Sequence, residues 1–130
     1  LTRPGLPLVS VRVVVPGGSA SDPKGAWGAA SLADEMLSQG AGSRDATEFA
    51  REVEELALSL DSQTTGSATI IALDAQTKTL ERGVELLTDM VFEPHFDEND
   101  FNRVRDIRVG QLTEANDDAT TVASWVLDQQ

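Results

Sequence analysis

The stretch LSLDSQTTGSATIIALDAQTKTLERGVELLTDMVF, residues 58–92, decides the fold class. Leu58 to Gln63 and Ser67 to Asp74 read as two strands, and Thr64, Thr65 and Gly66 between them carry turn chemistry. Two short β-rich runs around such a break predict an antiparallel hairpin. The period then changes from two to about 3.6 residues. Leu80, Val84, Leu87 and Val91 fall on one helical stripe, with Thr77 as a capping residue and Glu93-Pro94 as a stop. A hairpin followed at once by an amphipathic helix must bury the helix stripe against one sheet face.

Working outward on the N-terminal side, Leu8 to Val15 (LVSVRVVV) is rich in β-branched residues and reads as a further strand. It does not read as a secretory leader, since no small-residue cleavage pattern follows it. PGGSASDPKG is a loop, in which Asp22 and Pro23 suit the N-cap and first residue of a helix reaching Ser38. Trp27, Leu32 and Met36 would share a face of that helix, and Gly40 would end it. Ser43 then suits the cap of a second helix carrying Phe49, Val53 and Leu56.

On the C-terminal side, Asp97 suits the cap of a fourth helix with Phe101, Val104 and Leu112 turned inward. After Asn116-Asp117-Asp118, a last helix near Ala119 would carry Val122, Trp125 and Val126. The order predicts an α+β two-layer sandwich, a mainly antiparallel sheet with helices on one face. Residues 1–130 would form a single domain. Three strands and a helix running to the last residue suggest a partial, truncated one.

The chain has 130 residues, a net charge of −12, no cysteine and one histidine, His95. That charge argues against nucleic acid and against anionic membrane surfaces, which both need lysine and arginine partners. No apolar run approaches the ~20 residues of a membrane span. Catalytic zinc takes about three protein ligands, usually including two of His or Cys, so it cannot be assembled here. His95, between two helices, reads as a surface or turn-packing residue. The two tryptophans, Trp27 and Trp125, read as core or interface anchors.

Taken in order, two stretches resemble the conserved blocks of the pitrilysin and mitochondrial-processing-peptidase family of zinc peptidases, M16. LPLVSVRVVVPGGSASDPKGAWGAASLADEMLSQGAGSRDATEFAREVEELALSLDSQTT is similar to the first, and LERGVELLTDMVFEPHFDENDFNRVRDIRVGQL to the second. The family's metal site is an inverted His-x-x-Glu-His motif on the first helix, completed by a glutamate on a later long helix. By this resemblance the motif falls on Ser31-Leu32-Ala33-Asp34-Glu35. Ser31 and Glu35 stand where the histidines would be, and Asp34 stands where the general base would be. The distant glutamate falls at Gln111, with Gly110 as its neighbour.

The resemblance therefore implies a domain with no catalytic residues, no metal and no cofactor. Such a domain pairs with a zinc-bearing M16 homologue, as a subunit or a fused domain, to enclose a peptide substrate. Gly28-Ala29-Ala30-Ser31 matches the Gly-x-Ala-Ser variation of the non-catalytic halves of bacterial two-part enzymes. Those relatives often work in the periplasm, and the compartment of this chain stays open. Asp34, Glu35, Glu52, Glu54 and Glu55 would favour basic peptides if they lined the chamber. The other readings are a scaffold subunit that has left proteolysis, and a peptidase with an altered metal site.

Overall fold

A computed structural model of the chain describes residues 7–117. These divide between Asp97 and Glu98 into two compact units. The first contains a three-stranded antiparallel sheet of β1 (Leu8–Pro16), β4 (Ser59–Thr64) and β5 (Ala68–Gln76), in the order β1-β5-β4. Between β1 and β4 run α1 (Ala29–Met36), a small hairpin of β2 (Gly40–Ala41) and β3 (Arg44–Asp45), and α2 (Ala46–Glu55). Helix α3 (Leu80–Phe92) follows β5. The fold is the expected α+β arrangement, with the helices on one face of the sheet.

β5 is the central strand, and its alternation is sharp. Ile71, Leu73 and Ala75 are buried, while Ile70, Ala72 and Asp74 face the other way. Register carries this face across the sheet, opposing Val13 to Ile71 and Val11 to Leu73 on one side, and Leu60 to Leu73 on the other. Because side chains alternate with period two, each neighbour inherits the same inward set. Phe49 from α2, with Leu86, Leu87 and Met90 from α3, closes over it. The outer face carries Ser10 and Arg12 against Asp74 across the strands.

Several local expectations shift. Asp22 and Pro23 do not start α1, which begins six residues later, after a run of turns. Asp22 still caps it at a distance, its carboxylate accepting from Gly28 N at 2.7 Å and Ala30 N at 2.9 Å. Trp27 precedes the helix and is exposed, so it is not a core anchor. The cap of α2 is Asp45 and not Ser43, because Asp45 and Glu48 form a reciprocal capping box. Thr77 does not cap α3, since both its amide and its hydroxyl donate to the Pro7 carbonyl. Thr79 takes the cap position.

The expected stripe of α3 holds at three of its four positions: Leu87 is buried, Leu80 and Val91 pack against the core, and Val84 is exposed. The other buried residues of the helix are Gly83, Leu86 and Met90. Gly83 brings the helix close to the sheet. A Cβ there would lie 3.3 Å from both Leu58 Cδ2 and Leu73 Cδ1, so the helix backbone sits directly on the core.

The second unit is described as far as one long helix, α4 (Glu98–Asp117), beginning just after Asp97. Val104 is buried, but Phe101 and Leu112 are exposed and not inward. The helix continues through Asn116 and Asp117, where a break was expected. The expected last helix, with Val122, Trp125 and Val126, lies outside the described residues. Among the described residues no helix is long and apolar enough to cross a membrane.

Candidate functional site

Ser31, Asp34 and Glu35 all lie on α1 and are half-buried. Positions four apart share a helix face, so Ser31 and Glu35 stand together, with Asp34 one turn from Ser31. The helix is held against the sheet edge by polar contacts. Thr64 Oγ1 donates to Ala30 O at 3.4 Å, and Ser62 Oγ to Asp34 O at 3.5 Å. Gln111 is on α4, in the other unit, and is exposed, as is Gly110.

This donor set does not suit zinc. A hydroxyl and carboxylates are hard ligands, and no imidazole accompanies them. The chain's one imidazole is engaged elsewhere: His95 Nε2–H donates to the Gly42 carbonyl at 2.7 Å, while its backbone N–H donates to Gly40 O at 3.0 Å. Gly40, at φ 111°, makes room for this: a Cβ there would come within 2.9 Å of His95 Nδ1 and of Arg44 O. His95 is thus the turn-packing residue its position suggested. Among the described residues, no group of three or more His, Cys, Asp or Glu side chains is placed to hold a metal.

The acidic residues divide sharply. Glu52 on α2 receives both Arg44 and Arg82, and Arg44 also reaches Asp89 on α3 at 2.7 Å. Burial pushes the Glu52 carboxyl up, but hydrogen bonds from Arg82 and Arg44 outweigh it and leave the pKa below the ordinary 4.5. Arg82 is correspondingly held above its ordinary value, chiefly by its hydrogen bond to Glu52. Glu55 lies 3.9 Å from Arg51. Asp34 differs, because its Oδ1 is buried with no hydrogen-bond partner among the described residues.

Asp34 lines a pocket of about 260 Å³ between α1 and the sheet. Ala30, Leu37, Ile71 and Val91 supply apolar wall, and Phe96 stands beside them. Phe96 has φ 42°, a conformation that costs a bulky residue energy. It is fixed there by the preceding residues, where Pro94 bridges to Ala41 and His95 bonds to Gly40. Sequence reading placed Asp34 by motif position but gave no sign of this pocket. Glu93-Pro94 was read only as the stop of a helix.

The family model described as Insulinase (Peptidase family M16) matches residues 3–128. Among solved structures, the crystal structure of a peptidase M16 inactive domain from Pseudomonas fluorescens superposes with a TM-score of 0.84 at 21% identity. The match covers 92% of this chain and 29% of that one, so this chain spans under a third of that structure's length. At that identity the likeness is one of fold. No curated protein sequence matches the chain significantly.

Proposed function

The chain belongs to peptidase family M16, the insulinase family, and from that premise we propose that it is part of a non-catalytic M16 domain that pairs with a zinc-bearing homologue. In this reading the pair encloses a chamber that holds a peptide. The homologue supplies the metal and the water-activating base. This chain supplies the facing wall.

The observation that carries the proposal is the chemistry of α1. Where two imidazoles and a glutamate would be needed one turn apart, the helix presents Ser31, Glu35 and Asp34. The single histidine is occupied with the Gly42 carbonyl. Neither α1 nor the turn after α3 can activate water through zinc, and Gln111 brings a neutral amide where a carboxylate would be needed. What remains is wall chemistry: burial of substrate surface, exclusion of water, and a sheet whose outer strand β1 pairs on one side only among the described residues. An open edge can take an extended peptide as an added strand.

Reconstitution tests this. The protein is purified alone, and separately with an M16 homologue from the same genome that carries His-x-x-Glu-His. Zinc content and cleavage of an internally quenched peptide library are then measured. The expected result is a stoichiometric complex in which cleavage requires both components, with no zinc retained by the protein alone. Stoichiometric zinc and cleavage by the protein alone would overturn the proposal, as would a homologue whose activity is indifferent to it.

A further inference from the structure

We draw no further inference here: the strongest candidate, the outer face of the three-stranded sheet, where Val14 is exposed and a groove runs between Arg12 and Asp61 over Ile70 and Ala72, carries nothing because nothing in the structure shows what covers it.

Discussion

Helices α2 and α3 and helix α1 pack on the same sheet but handle negative charge in opposite ways. Between α2 and α3, Glu52 and Asp89 both receive Arg44, whose side chain is only 14% exposed, and Arg82 adds a second contact to Glu52. The polar layer there is complete, and it ties the β2–β3 hairpin to both helices. On α1, Asp34 buries an oxygen with no hydrogen-bond partner among the described residues. A region whose charges are all matched from within is built for stability. A region that buries a carboxylate oxygen without a hydrogen-bond partner among the described residues carries a cost instead.

The largest effect should come from dismantling the complete layer. Arg44→Met keeps the aliphatic length but removes the guanidinium shared by Glu52 and Asp89. Both acids then sit half-buried, with only Arg82 to serve Glu52. The expected loss is about 2 kcal/mol of unfolding free energy, read by urea denaturation at neutral pH. A loss near zero would mean the layer is solvated decoration, and the contrast with α1 would collapse.

A smaller effect, of defined sign, should appear on acidification. Glu52 has a folded-state pKa below its ordinary 4.5, because the hydrogen bonds from Arg82 and Arg44 outweigh the cost of burial. A depressed carboxylate pKa stabilises the fold above the unfolded value, and that contribution disappears as pH falls through the folded value. Glu52→Gln should therefore be less stable than the parent at about pH 7, and the gap should narrow as the pH falls below the ordinary 4.5 and through the lowered folded-state value. A gap that stays constant over that range would show that the carboxylate's charge contributes nothing.

How much of this was legible in the sequence follows from range. The β5 alternation, the hairpin and the existence of α2 and α3 are local patterns, and they could be read from Ile71, Leu73, Phe49 and Leu87 and their neighbours. The hairpin of β2 and β3 has two residues per strand, too short for any period to register. Counting apolar residues found Leu80, Leu87 and Val91 on α3 but cannot see a glycine, and the buried Gly83, where a Cβ would lie 3.3 Å from Leu58 and Leu73, was missed. Asp22 and Thr77 were given local capping roles. The first reaches six residues downstream and the second bonds to Pro7, seventy positions away. The motif position of Asp34 could be read from the resemblance. The pocket beside it could not, because Ile71, Val91 and Phe96 converge on it from three distant segments.

The smallest expected effect is also the one that separates the two regions most cleanly, because its sign differs between them. Asp89→Asn should destabilise the protein by about 1 kcal/mol, since a neutral amide holds Arg44 less well than a carboxylate. Asp34→Asn should stabilise it, by up to about 1 kcal/mol, since it removes a charge from the wrong end of α1 without breaking any hydrogen bond. Both changes are nearly isosteric and remove the same charge, so packing and net charge cancel in the comparison. Thermal unfolding of the two variants beside the parent is sufficient to read the signs. If both variants lose stability alike, Asp34 already has a partner in the folded protein, and the pocket is a finished piece of structure. If the signs oppose, the fold tolerates a carboxylate it would be more stable without.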